Sequence, residues 1–501
     1  MAIARVQSFA FSGIDAIPVE VQVQISSGLP AFLVVGLPDK AVGEARERVR
    51  AALTSMGLSL PPRRILVNLA PAHLLKEGSH FDLPIAIGVL TAMEILPAED
   101  IGEFAALGEL SLDGSLNPVA GVLPAAMAAS GRDLGLICPA MQGGEAAWAG
   151  RIEVLAPSNL LSLINHFRGL QILSPPEPAG LADGVSKVDL ADVKGMETAK
   201  RAIEVAAAGG HNILLIGAPG SGKSMLAARL PGLLPDLTPL EALEVSMIHS
   251  VAGMLDGGRL VMRPPYREPH HSASQAALTG GGHHAKPGEV SLAHRGVLFL
   301  DELPEFPRPA LESLRQPMEI GRTTVARASA HVTYPARFQL IAAMNPCRCG
   351  HLGNAARECA RAPRCGEDYR NRLSGPLLDR VDLVVEVQPV SSAEMSRAPP
   401  GEPSSKVAER VALARSVQRR RYGEGGPTTN SEADTRALEI SGDAQSFAEQ
   451  AAEKLSLSPR GFTRMLRVAR SAADLAGLPA IRRQDIAEAL AFRHRMPGHK
   501  F

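Results

Sequence analysis

The sequence predicts an α/β chain in three parts: an N-terminal α+β domain, a central α/β domain built around a phosphate-binding loop, and a helical C-terminal segment. Three observations lead there. The first 171 residues alternate short apolar runs with amphipathic stretches. HNILLIGAPGSGKSMLAARL (211–230) sets a glycine-rich loop between a buried strand and a helical pattern. The last hundred or so residues lose the strand pattern and become arginine-rich and helical.

A chain of 501 residues is too long for one compact core. Lys plus Arg equals Asp plus Glu, 52 against 52, so no overall field recruits nucleic acid and any DNA contact must use local basic patches. The first residues, MAIARVQSFAFSG, lack the basic start and apolar centre of a signal peptide, and no apolar run is long enough for a membrane span. The expected location is the cytoplasm, where disulfides are disfavoured.

In the N-terminal part, VEVQVQISSG (19–28) alternates with period two and reads as a half-buried strand, and AFLVVGLPD as a buried strand ending in a turn. The next stretch, opening at Asp39, reads as a helix with Val42, Ala45, Val49 and Leu53 inward. RRILVNLAP is another strand and FDLPIAIGVLTAMEIL another helix. ILSPPEPAGLADGVSKVD (172–189), rich in Pro, Gly and Ser, marks a linker. The expected parts are therefore 1–171, the linker 172–189, a core over 190–390 and a helical segment over 391–501, the last opening on the soft stretch 391–406.

GAPGSGKS is a full G-x-x-x-x-G-K-S P-loop in its strand–loop–helix setting. Gly217, Gly220 and Gly222, with Ala218, Pro219 and Ser221 between them, would turn backbone N–H groups toward phosphate oxygens, aided by the positive end of the following helix. Lys223 would reach the outer phosphates of ATP and Ser224 would ligate Mg²⁺. GVLFLDELPEF (296–306) is a buried strand ending in Asp301, suited to the Mg²⁺ shell, and Glu302, suited to polarising an attacking water. A third buried strand, RFQLIAAMNPC (337–347), ends at Asn345, which in this order is expected to orient that water. Arg380, in LSGPLLDRVDL, is the candidate finger toward another subunit's γ-phosphate and is expected at the surface; the alternative is pairing with Asp379 or Asp382. Arg460, Arg464 and Arg467 share one helix face. Arg460 is the candidate second sensor, and the other two fit a solvated stripe.

Taken together, GAPGSGKS, VLFLDELPEF, AAMNPCRCG and SGPLLDRVDL resemble the magnesium-chelatase-like branch of the AAA+ ATPases, and more narrowly the YifB/ComM family. KEGSHFDLPIAIGVL and GELSLDGSLNPVAGVLPAA are similar to that family's N-terminal Lon-protease-like domain, and the C-terminal helices to its lid. The resemblance implies a hexameric ATP-hydrolysing ring that acts as a DNA helicase, driving branch migration while incoming DNA is integrated in natural transformation. Single-stranded or branched DNA and a recombinase are the partners it implies. The competing expectation is a chelatase-like or chaperone-type ATPase that remodels a protein partner.

Within the span between the two nucleotide motifs, PPYREPHHSASQAALTGGGHH carries His270, His271, His283 and His284 around the glycines 280–282. It reads as a loop touching a translocated polymer; metal binding by these histidines lacks a fixed ligand spacing. GRTTVARASAHVTYPARF (321–338) predicts a hairpin with Arg322 and Arg327 available to phosphates. Cys347, Cys349, Cys359 and Cys365 follow a C-x-C-x₉-C-x₅-C spacing, open to Zn²⁺, with His351 as a substitute ligand, or to four reduced thiols in a loop made basic by Arg348, Arg357, Arg361, Arg364, Arg370 and Arg372. Cys138 stands alone in an apolar context and reads as core.

The Lon-like segment is expected to be catalytically silent. A Ser–Lys dyad needs a lysine that can take the serine's proton. No lysine occurs between Lys76 and Lys187, and Val122, Leu123 and Pro124 stand where the resemblance puts the base. A relay of Ser79, His80 and Asp82 would require sequence neighbours to face one another.

Overall fold

The computed structural model describes residues 3–36, 39–74, 76–182, 188–282, 285–326, 331–352, 359, 361–390, 396–399, 401–423 and 425–493. Strands β1 (Ala4–Ser12), β2 (Asp15–Ser26), β3 (Ala31–Val35), β4 (Arg64–Ala70), β5 (Phe104–Ala106), β8 (Gly135–Ile137) and β9 (Val154–Leu155) form a seven-stranded mixed sheet in the order β3-β4-β2-β1-β5-β8-β9. A ribbon of β6 (Glu109–Leu110) and β7 (Leu116–Asn117) flanks it. The alternation read in the sequence is what β2 uses. Val19, Val21 and Val23 are fully buried while the alternate residues Glu20, Gln22 and Gln24 keep some access to solvent. Helix Asp39–Ser55 turns Ala45, Val49 and Leu53 inward as expected. Helix Asp82–Ala92 is buried along ten residues, which its nearly uninterrupted apolar composition requires.

The second sheet is parallel throughout, in the order β11 (Tyr266–Arg267), β12 (Val297–Leu300), β15 (Gln339–Met344), β10 (Ile213–Ile216) and β16 (Leu383–Glu386). Strands covered on both faces must be apolar nearly throughout, and β12 and β15 are buried at every position. Their C-terminal ends lie along one edge, where ligands of open α/β sheets bind. The predicted hairpin is present as β13 (Arg322–Ala326) paired with β14 (His331–Pro335).

Helices Ser404–Tyr422, Gly442–Lys454, Pro459–Leu475 and Arg483–Ala491 make up the C-terminal segment. Val407, Val411, Met465, Val468 and Ile486 belong to the same buried cluster as Ile213, Leu215 and Phe299 of the second sheet. The segment therefore packs as part of the central core, with helix Glu197–Gly209 between them. No helix among the described residues is long and apolar enough to cross a membrane. His283, His284, Arg327 and Arg357 lie outside the described residues.

Candidate functional site

At the C-terminal edge of the parallel sheet three neighbouring strands bring the sequence-selected groups together. After β10 the chain turns through Gly220 (φ +76°) and Gly222 (φ +89°), backbone angles that L side chains rarely adopt. Lys223 then opens a short helix, Lys223–Ala227, shorter than the sequence pattern suggests, before the chain tightens into a 3₁₀ turn, Leu230–Leu233. The Lys223 ammonium donates to the carbonyls of Gly217 (2.8 Å) and Ala218 (3.0 Å) and to Asn345 Oδ1 (3.2 Å). Burial lowers its pKa, while Asp301 and Glu302 pull it back up. Ser224 Oγ donates to Asp301 Oδ2 at 2.7 Å, so two hard oxygen donors suited to Mg²⁺ stand side by side.

Asp301 follows the last residue of β12 and accepts the Glu302 N–H (2.8 Å). Glu302 is exposed and adopts a left-handed backbone (φ 49°, ψ 47°). A non-glycine residue in that region is strained, and such strain concentrates at functional sites. His271 Nδ1 lies 3.4 Å from Glu302 Oε2, and Glu268 has its pKa raised by burial and by Asp301. The sequence reading placed His270 and His271 on a polymer-contacting loop. The structure gives this loop a neighbour that the expectation lacked: β11 pairs in parallel with β12 and carries His271 to the acidic end of that strand. A two-residue strand is too short to leave a period in the sequence, which is why this neighbour was missed.

Arg380 sits at the opposite end of the sheet. Its carbonyl accepts from Asn212 Nδ2 (2.9 Å), just ahead of β10, whereas Lys223 lies beyond the far end of that strand. The guanidinium donates to Glu319 (2.6 Å) and to the Pro376 carbonyl (2.7 Å), leaving its side chain 16% exposed. It is less open than expected, and its acidic partner is Glu319 rather than Asp379 or Asp382. Arg380 and Arg460 line one broad cleft with Glu319, Arg337 and Asp379. Arg460 is exposed at the start of helix Pro459–Leu475, whose first turn is capped by Ser458 accepting the Gly461 N–H. Arg464 donates to the Val381 carbonyl (2.8 Å) and Arg467 to the Ala433 carbonyl (2.8 Å), so these two are bound and form no solvated stripe.

The sulfurs of Cys347, Cys349, Cys359 and Cys365 lie within 4.8 Å of one another and are unbridged, and His351 stands outside that group. Cys138 is buried, as expected. A relay of Ser79, His80 and Asp82, already disfavoured by their closeness in sequence, does not form. His80 Nε2 donates to the Phe9 carbonyl (2.9 Å), and Asp82 takes a two-pronged hydrogen bond from Arg48 (2.5 and 3.1 Å). Lys76 is buried against the carbonyls of Pro71 and Leu74. Val122, Leu123 and Pro124 instead open the helix Val122–Ser130, which meets helix Pro239–Val251 of the central domain. The Gly121 N–H donates to the Ser250 carbonyl (3.1 Å), and Ser250 Oγ to buried Glu145 (2.6 Å), which also accepts the Leu123 N–H (3.0 Å).

Compared with known families, residues 189–395 match the profile described as magnesium chelatase, subunit ChlI; residues 21–142 match subunit ChlI of Mg-chelatase; and residues 401–493 match the ChlI C-terminal profile. Among known proteins, the chain is 43% identical to competence protein ComM of Haemophilus influenzae over 499 residues, 98% of each chain. It is 46% identical to an uncharacterized protein of Mycobacterium tuberculosis over 501 residues, covering 98% of this chain and 99% of the other. It is 42% identical to the uncharacterized protein YifB of Escherichia coli over 494 residues, covering 98% and 97%.

Proposed function

Since the chain belongs to the magnesium-chelatase-like YifB/ComM family, we propose that it is an ATP-driven, ring-forming motor that moves on DNA and promotes branch migration when DNA is taken into a recombining duplex. The observation that carries the ATPase part is the meeting of Lys223, Ser224, Asp301 and Asn345 across three adjacent parallel strands. Walker-type chemistry needs little covalent work from the protein; it needs phosphates held, charge neutralised and a water aimed. The loop Gly217–Ser224 would hold the phosphates, and Ser224 and Asp301 would hold Mg²⁺, which would supply neutralisation of phosphate charge. Glu302 accepts a proton from the attacking water, and Asn345 orients it.

The ring part is supported by Arg380 and Arg460. Both face a cleft at the end of the sheet remote from Lys223. The four residues of β10 put roughly 13 Å between those ends. The two guanidiniums therefore suit a neighbouring subunit's nucleotide better than their own. The DNA part draws on the competence protein among the relatives and on the hairpin β13–β14, where Arg322 is exposed.

Two substitutions separate binding from turnover. Lys223→Ala is expected to abolish ATP binding, measured with a fluorescent nucleotide. Glu302→Gln should bind ATP and lose at least 100-fold in hydrolysis and in displacement of a labelled strand, a loss in line with removal of a general base. Normal hydrolysis by Glu302→Gln would contradict the assignment.

A further inference from the structure

Four thiols on two separate segments converge beside the nucleotide site, and the ATPase roles assigned above use none of them. Cys347 and Cys349 lie on the turn after β15, and Cys365 lies in helix Arg364–Arg370. Cys359 completes the group, with every sulfur within 4.8 Å of the others and 3.1 Å between Cys347 and Cys349. A tetrahedral zinc centre with bonds of about 2.3 Å spaces its sulfurs about 3.8 Å apart, so the group is sized for one metal atom. An iron–sulfur cluster shares its thiolates among several metal atoms and needs a wider ring. Supporting contacts are also present. The Leu352 N–H donates to Cys347 Sγ at 3.3 Å, the kind of second contact that holds a thiolate ligand in place. Four thiolates around Zn²⁺ leave a net negative centre. Exposed Arg348, between two of the ligands, and exposed Arg364, next to a third, supply opposite charge.

We propose that Cys347, Cys349, Cys359 and Cys365 hold one zinc ion, and that this closed centre positions the P-loop and Asn345. The first link is covalent: Asn345, which accepts from Lys223, stands two residues before Cys347. The second is steric. The Gly350 N–H donates to the Cys347 carbonyl (2.9 Å), closing the turn on which the first two ligands sit. A Cβ added at Gly350 would lie 2.5 Å from Pro219 Cδ and 2.6 Å from its Cγ, so the cysteine turn rests directly on the P-loop. With all four positions taken by cysteine, the metal has no open site for chemistry and acts by fixing the turn. Gly350 is a positioning residue in this arrangement.

The coupling rests on the ATP reading above; the metal assignment does not, and the experiment keeps the two apart. Full-length protein purified without added metal is analysed for metal content and reactive thiols. It should carry about one zinc per chain, and Cys365→Ser should carry little. Should that variant fail to fold, the wild type is stripped with a thiol reagent, reduced and checked for retained helicity. Stripped protein should bind a fluorescent ATP analogue roughly 10-fold more weakly, with affinity restored by zinc. Gly350→Ala should keep its zinc and still lose ATP affinity. Wild-type protein without zinc, whether it holds iron or a Cys–Cys bridge, would overturn the metal assignment. Equal ATP affinity in folded stripped and zinc-bound protein would overturn the coupling. Zinc-bound protein that binds no ATP would defeat the nucleotide reading and the coupling with it, leaving the metal site standing.

Discussion

His80 shows how far a single side chain can be from the role its neighbours suggest. It sits in a segment that the sequence led us to compare with a protease active site, yet its buried ring packs against Phe11 and Phe81 and donates from Nε2 to the Phe9 carbonyl. Burial holds its pKa down to about 4, from an ordinary 6.5. The unfolded chain therefore takes up a proton that the folded chain refuses. The resulting stability is complete above the ordinary value and is lost as pH falls from 6.5 toward 4, by up to about 3 kcal/mol. Urea unfolding at neutral and mildly acidic pH should show this loss, and His80→Gln, which keeps an N–H donor but cannot titrate, should flatten it. An unchanged acid slope in that variant would assign the effect to other groups. Lys76 and Asp82 are committed to carbonyls and to Arg48 in the same way, so three of the polar side chains of this segment, Lys76, His80 and Asp82, are held in structural contacts.

At the scale of elements, the helix Val122–Ser130 is the joint between the N-terminal domain and the ATPase core. Its first turn and the Ser250 hydroxyl meet on the buried carboxyl of Glu145, whose pKa burial raises and whose hydrogen bonds restrain that rise. Ser250→Ala removes one donor from that carboxyl and should destabilise the docked pair by about 2 kcal/mol, read as a shift in urea midpoint. A shift below about 0.5 kcal/mol would mean that water replaces the hydroxyl and the joint is looser. This joint could not be read in the sequence, because its partners are separated by 105 positions and no local period connects them. What could be read was local. The two-residue alternation of β2, the apolar runs of β10, β12 and β15, and the glycines of the P-loop each follow from backbone geometry within one element. The gathering of Lys223, Ser224, Asp301 and Asn345 at one site was expected from the order of motifs, whereas the direct Lys223–Asn345 hydrogen bond was not. The Glu319 partner of Arg380, the approach of His271 to Glu302 and the contact of Gly350 with Pro219 were not, since each depends on how separate elements pack.

For the whole molecule, the separation of Lys223 from Arg380 and Arg460 makes the complete site a property of two subunits in the proposed ring. Subunit mixing tests this directly. Lys223→Ala and Arg380→Ala proteins should each be inactive alone. Mixed in equal amounts they should regain turnover, since random pairing joins an intact P-loop to an intact arginine at on the order of a quarter of interfaces. No recovery from exchanging subunits would place Arg380 in service of its own chain. The zero formal charge of the chain adds a further constraint on the proposed motor: it would have to hold DNA by local groups such as Arg322, through phosphate contacts that release counterions. The measurement that tests the central claim most directly is therefore steady-state ATP hydrolysis by the full-length protein with and without single-stranded and branched DNA, over a range of salt. The account predicts stimulation of several-fold or more that fades steeply as salt rises. Turnover indifferent to DNA at low salt, but stimulated by a protein partner, would contradict it.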